Sequence, residues 1–216
     1  MRLSEKYRPA CWSDIVGQDK ALAKINRLRA NGLGGRAFLI VGHSGSGKTS
    51  IARLLCAEVD PTGWATEELD AERLTPARLA EIERRTASRP LGGGGHALIV
   101  DETHAMSAAA VRQWLVATDP IPEHVIWCLT TTRNGEESLF GNETGPFTSR
   151  CEVISLTRQG VTQPIAELLQ RKAILEILDG QPLSAYVRLI NDCKGNVRQA
   201  YAEIEGGRML AKGGGV

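Results

Sequence analysis

The sequence predicts an α/β fold, in which a parallel sheet is flanked by helices and followed by a small all-helical domain. The first observation is a set of short apolar runs, whose lengths and flanking residues are typical of buried parallel strands. Three runs are clear and a fourth is a candidate: 37–41, 97–100, 125–129 and 153–156. The second observation is that amphipathic segments separate the runs, as in strand–helix–strand units. The third is that only helical periodicity continues beyond Thr157.

Helical periodicity defines the elements between and after these strands. Asp19 to Ala30 carries its apolar residues on one face, and Pro76 suits the first turn of a helix. The predicted helices are 19–30, 49–59, 76–87, 108–117, 164–178, 182–193 and 196–211. We therefore expect an α/β domain over 1–156, a helical domain over 157–212 and a flexible tail over 213–216.

The composition excludes several classes of protein. Of the 216 residues, 42% are apolar and 24% are charged, which argues against a disordered or fibrous chain. We expect neither a membrane span nor a signal peptide, because the apolar runs are short and the N-terminus is charged. The net charge of +1 excludes bulk attraction to nucleic acid but leaves room for a local basic face. Five isolated cysteines without CxxC spacing predict free thiols, a reducing cytoplasm and no zinc.

The strongest chemical signal is the glycine-rich segment 42–49, whose sequence GHSGSGKT fits the pattern GxxxxGK[ST]. It follows an apolar strand and precedes a helix, which is the context of a phosphate-binding P-loop; a chance glycine-rich turn is the alternative. We expect Lys48 to reach the β- and γ-phosphates of ATP and the Thr49 hydroxyl to bind Mg²⁺. The residues predicted to hold the nucleotide through backbone N–H groups, the helix N-terminus and side chains are His43, Ser44, Gly45, Ser46, Gly47, Lys48, Thr49 and Ser50.

A second signal is the pair of acids Asp101 and Glu102 at the end of the apolar run 97–100. The carboxyl ends of parallel strands form the edge at which α/β folds bind ligands. Asp101 is expected to hold Mg²⁺ through its water shell, and Glu102 to activate the attacking water as a general base. An ordinary acidic strand end is the alternative interpretation. The pair favours an ATP-hydrolysing enzyme over a small-molecule kinase, which has to protect its nucleotide from water.

With these motifs in order, the chain resembles clamp-loader AAA+ ATPases and is similar to bacterial DNA polymerase III gamma/tau subunits and replication factor C small subunits. The resemblance covers nearly the whole chain. It is carried by KYRP (6–9), DIVGQ (14–18), GKTSIARLL (47–55), DETH (101–104), PEHV (122–125) with LTTT (129–132), SRC (149–151) and GNVRQA (195–200).

The resemblance also implies roles for residues outside the glycine-rich segment 42–49 and the acid pair 101–102. Thr132 matches the sensor 1 position, Arg198 matches sensor 2 in the helical lid, and Arg150 matches an arginine finger that acts in trans on a neighbouring subunit. A strand-capping threonine, a solvated helix arginine and a local salt bridge are the respective alternatives. The residues that the resemblance assigns to the adenine site are Tyr7, Arg8, Pro9, Val16 and Gly17.

The resemblance also implies partners and a process. It predicts an ATP-hydrolysing subunit that assembles with other AAA+ subunits or copies of itself, with a sliding clamp and primer–template DNA as further candidates. The candidate DNA contacts are arginines on predicted helices, with solvated helix faces as the alternative: Arg78, Arg84, Arg85 and Arg112. Two features of the family are not expected in this sequence, the four-cysteine zinc module and the helical collar. An ATP-gated interaction module outside replication therefore stays open as a second function, and a kinase as a third.

Overall fold

The structure is a computed structural model that describes residues 1–132 and 149–211. The predicted tail 213–216 lies outside these residues. The chain forms two compact units. The sheet unit comprises Lys20–Gly42 and Lys48–Leu156, and the helical unit comprises Met1–Asp19, His43–Gly47 and Thr157–Val216. In the described part of the chain, no helix has both the length and the apolar character that crossing a membrane requires.

Five parallel strands form one sheet in the order β2-β3-β4-β1-β5. They are β1 (Arg36–Val41), β2 (Thr66–Asp70), β3 (His96–Asp101), β4 (Val125–Thr131) and β5 (Cys151–Ser155). Because all five run the same way, the sheet has one amino edge and one carboxyl edge. The predicted α/β fold is confirmed, with strands at the three clear runs and at the candidate fourth.

Strand β2 is the one the sequence analysis missed. Its five residues, TEELD, carry three acids and no apolar run, and among the described strands only β3 pairs with it. A strand at the edge of a sheet does not have to be apolar on both faces. Charged side chains on such a strand protect its open edge from pairing with another chain. Hydrophobic pattern therefore gives no signal for it.

Among residues 19–132 and 149–156, four α-helices accompany the strands: α2 (Asp19–Arg29), α3 (Lys48–Val59), α4 (Pro76–Thr86) and α5 (Ala108–Ala117). Local signals set their starts. The Thr75 hydroxyl accepts a hydrogen bond from the Arg78 N–H at 3.2 Å, and the Ser107 hydroxyl accepts one from the Ala110 N–H at 3.2 Å. Trp114 on α5 is fully buried and packs edge-on against the buried Trp127 of β4, with ring centroids 6.2 Å apart, so both are core residues.

The helical unit contains α1 (Leu3–Lys6), α6 (Thr162–Leu175), α7 (Leu183–Asp192) and α8 (Val197–Glu205). The last helix ends six residues before the predicted end at 211, because Gly206 and Gly207 follow Glu205 and Gly207 adopts a φ of +82°. A core of apolar side chains from all four helices includes Leu3, Leu169, Tyr186, Leu189, Ala200 and Ile204.

The first 19 residues pack with the C-terminal helices, although the sequence analysis groups them with the sheet in 1–156. The Leu3 N–H donates to Glu205 Oε1 at 2.6 Å. The amide of Gln18 pairs in both directions with the backbone of Thr157, at 3.1 and 3.0 Å. These contacts join the two ends of the chain into one unit.

Candidate active site

The predicted phosphate-binding loop connects β1 and α3. Gly45 and Gly47 have φ values of +71° and +96°, in the left-handed region that side chains with a Cβ rarely adopt. The Ser46 hydroxyl donates to the His43 carbonyl at 2.7 Å and tightens the turn. Gly47 is thus a fixed glycine of the pattern GxxxxGK[ST] with a conformation that favours glycine, and Gly45 adds a second such conformation at one of the variable positions.

The N-terminus of α8 contacts the apex of this loop, within the helical unit. The Val197 N–H donates to the Gly45 carbonyl at 3.3 Å. A Cβ on Gly45 would lie 1.9 Å from Asn196 Oδ1. The same oxygen caps α8 by accepting from the Gln199 N–H at 3.1 Å. Arg198, the predicted sensor 2 residue, is exposed on the first turn of α8, two residues after Asn196.

Lys48 and Thr49 open α3, within the sheet unit. Lys48 is buried, with 6% of its surface exposed. The Thr49 hydroxyl donates to the Asp101 carboxylate, with its oxygen 3.1 Å from Oδ1 and 3.3 Å from Oδ2. A hydroxyl and a carboxylate are both hard oxygen ligands, and Mg²⁺ in nucleotide sites takes one or two such protein ligands and keeps several waters. The two predicted metal ligands therefore lie together and fit that ion.

Strand β4 supplies a second hydroxyl to the same carboxylate. Thr130 lies one residue beyond the Val100–Leu129 register pair, and its hydroxyl donates to Asp101 Oδ1 at 2.8 Å. Its oxygen also accepts from the Glu102 N–H at 3.3 Å. Thr130, which is fully buried, therefore links the side chain of Asp101 to the backbone of Glu102.

Glu102 and its neighbours follow directly. Glu102 has a φ of +54°, an uncommon conformation for a residue with a side chain. One nitrogen of His104, Nδ1, lies 3.4 Å from Glu102 Oε2 and 3.3 Å from the Thr131 hydroxyl. Thr130 and Thr131, which contact Asp101 and His104, directly precede the predicted sensor 1 residue Thr132 and carry no sequence signal of their own. The role of Thr132 stays a prediction.

Arg150 lies at the opposite edge of the sheet from Asp101. It directly precedes β5, whose first residue pairs with Ala37 near the start of β1. Because β1 has six residues and a strand rises about 3.3 Å per residue, the two edges are about 15 Å apart. Arg150 donates to Asp119 Oδ2 at 3.0 Å and lines an open cavity of about 370 Å³.

The N-terminal segment is engaged inside the helical unit. The Tyr7 ring stacks on Tyr201 at a centroid distance of 6.1 Å, and its hydroxyl donates to Glu176. That hydrogen bond is the main reason why the pKa of Tyr7 is raised. Arg8 pairs with Glu5 at 2.6 Å. The adenine-contacting role of Tyr7, Arg8, Pro9, Val16 and Gly17 stays a prediction.

Two of the four candidate DNA-contacting arginines are ion-paired. Arg78 and Arg85 on α4 both donate to the Glu67 carboxylate of β2. Burial raises the pKa of Glu67, but the hydrogen bonds and positive charges of Arg85 and Arg78 together outweigh burial and leave that pKa below its ordinary value. The positions of these two arginine side chains are therefore explained by their ion pairs with Glu67 rather than by a basic surface available to DNA. Arg84 and Arg112 are exposed.

Comparisons with known proteins show which family the sequence matches. The profile of the ATPase family associated with various cellular activities (AAA) matches residues 38–155, more than half of the chain. A replication factor C small subunit from Methanoregula boonei is 27% identical over 215 residues, covering 96% of this chain and 63% of that protein. DNA polymerase III subunit gamma/tau from Mycobacterium bovis is 29% identical over 156 residues, covering 61% of this chain and 27% of that protein.

A solved structure has the same fold. RuvB from Thermotoga maritima, described as a Holliday junction branch migration motor, aligns with a TM-score of 0.70 and 20% identity, over 92% of this chain and 64% of that chain. At this identity the likeness concerns the fold alone. The chain spans less than two thirds of each of these three proteins.

Gly45→Ala tests the contact between the loop and α8. We expect it to lower the free energy of unfolding by more than the roughly 1–2 kcal/mol of left-handed strain, because the new methyl group displaces the Asn196 cap. Gly63→Ala is the matched control, since Gly63 has a φ of +72° and nothing lies within 4 Å of its Cβ position. Urea unfolding of both variants measures the difference, and equal losses would contradict the contact.

Proposed function

Because the chain belongs to the AAA family of ATPases, we propose that it binds ATP with Mg²⁺ and hydrolyses the nucleotide as a subunit of a clamp-loader-like assembly at DNA. The observation that carries this proposal is the hydrogen-bonded group Thr49–Asp101–Thr130, with Glu102 next to it in the chain. The group lies at the carboxyl edge of a parallel sheet, which is where such folds bind ligands.

Binding rests on the loop and the start of α3. The backbone N–H groups of residues 43–49 and the N-terminus of α3 supply positive charge to the phosphates. Lys48 would neutralise charge on the β- and γ-phosphates. Thr49 and Asp101 would hold Mg²⁺, which would supply further neutralisation of the phosphate charge. Arg198, from the helical unit, is proposed to contact the phosphates when ATP is bound.

Hydrolysis requires a base beside the metal ligands. Glu102 follows Asp101 directly and has a partly exposed carboxylate, so it is able to accept a proton from an attacking water. This arrangement argues against a small-molecule kinase, in which a base for water would waste ATP.

Completion of the site by a neighbouring subunit is proposed from the position of Arg150. Since Arg150 is at the amino edge, about one strand length from Asp101, its guanidinium does not reach the phosphates bound to its own chain. A second subunit that brings its amino edge to this carboxyl edge would supply the arginine in trans. The proposed partners are other AAA+ subunits or copies of this chain.

An ATP-gated protein-interaction module outside replication is the second candidate. The pairing of Arg78 and Arg85 with Glu67 favours it, because it removes two cations from the proposed DNA-binding stripe. The two functions differ in one observable. Primer–template DNA stimulates ATP turnover if the clamp-loader-like function is right, and leaves turnover unchanged if the module is.

Glu102→Gln tests the base. We expect this variant to bind ATP as the wild type does and to hydrolyse it about 10²-fold or more slowly, because the amide does not accept the water proton. Lys48→Ala should bind no ATP in the same assay, whereas Glu83→Gln, an exposed acid on α4, serves as the unaffected control. Filter binding and phosphate release measure the two steps, and wild-type turnover in Glu102→Gln would refute the assignment.

Arg150→Ala tests the shared site. We expect a lower kcat with nearly unchanged ATP affinity. Asp119→Asn, which removes the salt-bridge partner of Arg150, should keep the wild-type kcat. An equal loss in Asp119→Asn would mean that Arg150 acts only through that local salt bridge. Arg73→Ala, an exposed arginine on the turn after β2, is the control. An equimolar mixture of Arg150→Ala and Glu102→Gln should regain turnover that neither has alone, since one subunit contributes the base and the other the arginine. No recovery in the mixture, or a concentration-independent rate from a monomer, would rule out action in trans.

A further inference from the structure

We propose that His104 is a positioning residue that holds the carboxylate of Glu102 through its Nδ1–H group, and that Thr131 fixes the imidazole for this task. The inference rests on the proposed role of Glu102 as the base for hydrolysis. It assigns a function to two side chains that the motif comparison leaves without one.

The hydrogen-bond directions point to a proton on Nδ1. The Thr131 hydroxyl lies 3.3 Å from the carbonyl oxygen of Thr132, to which it donates its single proton. Its oxygen is then an acceptor for His104 Nδ1, 3.3 Å away. An ionised carboxylate is also only an acceptor, and Glu102 Oε2 lies 3.4 Å from the same nitrogen. One N–H therefore faces two acceptors, which favours the Nδ1-protonated tautomer.

Hydrogen bonds fix the backbone turn that carries the His104 imidazole. His104 lies in a short 3-10 turn, Thr103–Ala105, in which the Ala105 N–H donates to the Glu102 carbonyl at 2.8 Å. The Thr103 side chain is fully buried and its hydroxyl donates to the Val100 carbonyl at 3.2 Å, which ties the turn to β3. Thr131 is fully buried at the end of β4. Two strands thus orient one ring.

The Glu102 carboxylate, which lies beside the His104 ring, is exposed enough to require a restraint on its orientation. The Glu102 side chain is 52% exposed, against 32% for His104. A solvent-exposed glutamate samples several rotamers, and a base that is out of line with its water loses much of its effect on rate. A fixed N–H donor beside one carboxylate oxygen restricts that sampling and leaves the other oxygen available to the water.

The expected signature is a loss in kcat without a loss in affinity. His104→Ala should lower kcat by about tenfold, because the base is present but less well oriented. The Kd for ATP should stay within about twofold, since His104 Nδ1 hydrogen-bonds the Thr131 hydroxyl and lies 3.4 Å from Glu102 Oε2 rather than beside the phosphate loop. Loss of packing alone would lower thermal stability and leave the turnover of the folded fraction unchanged.

The decisive experiment compares two amides at the same position. In His104→Asn the side-chain N–H lies as far from the backbone as Nδ1 does, whereas in His104→Gln it lies about where Nε2 does. We expect Asn to restore most of the kcat and Gln to behave like Ala, in phosphate-release assays with saturating ATP and Mg²⁺. His124→Ala is the matched control, because its ring bonds the Thr86 carbonyl and the residue immediately precedes β4 at the amino edge.

Thr131→Val provides an independent route to the same result, with a side chain of nearly equal shape. It should lower kcat as well, and should cause no further loss in a His104→Ala background, because the two residues act through one contact. A kcat for His104→Ala within twofold of the wild type, Asn no better than Gln, or additive losses in the double variant would each overturn the inference.

The outcomes separate this inference from the proposed function. If Glu102→Gln turns over ATP like the wild type, the proposed function fails and the inference falls with it. If Glu102→Gln is inactive and His104→Ala is fully active, only the role of His104 is wrong.

Discussion

One carboxylate, that of Asp101, holds the carboxyl edge of the sheet together. It accepts hydrogen bonds from the hydroxyl of Thr49 at the start of α3 and from that of Thr130 in β4. Three elements far apart in sequence are therefore joined at one charged group, and hydrogen bonds to an ionised acceptor are about twice as strong as those between neutral groups. Thr49 lies in the first turn of α3, directly after the glycine-rich loop, so its hydrogen bond to Asp101 helps to fix the start of α3 against β3.

The parallel direction of the strands is the constraint that organises the rest. It collects the acids, the threonines and the start of α3 at one edge, and it leaves Arg150 at the other edge. A chain built in this way has one surface suited to phosphates and metal and another that carries a cation. The proposed assembly of subunits follows from these two edges, because a phosphate site that requires Arg150 has to obtain it from a neighbour.

The sequence predicted those parts of the fold and the site that depend on local pattern. Apolar runs located four strands, the GK[ST] pattern located the loop, and the acids after 97–100 located the edge; the family resemblance is confirmed by the match over 38–155. Sequence pattern did not predict the contacts that depend on strand register or on pairing between distant residues. Which threonine of 130–132 faces Asp101 depends on the alignment of β4 with β3. The pairing of Arg78 with Glu67 depends on β2, which has no apolar signal.

The most direct test of the central claim is the Mg²⁺ dependence of ATP binding, measured by calorimetry on the wild type and on Asp101→Asn. If Asp101 and Thr49 form the metal site, Mg²⁺ should raise the affinity of the wild type for ATP by about tenfold, which is about 1.4 kcal/mol. The isosteric Asp101→Asn should lose most of this gain and keep its metal-free affinity. An equal effect of Mg²⁺ on both proteins, or none on the wild type, would contradict a metal-dependent nucleotide site at this edge.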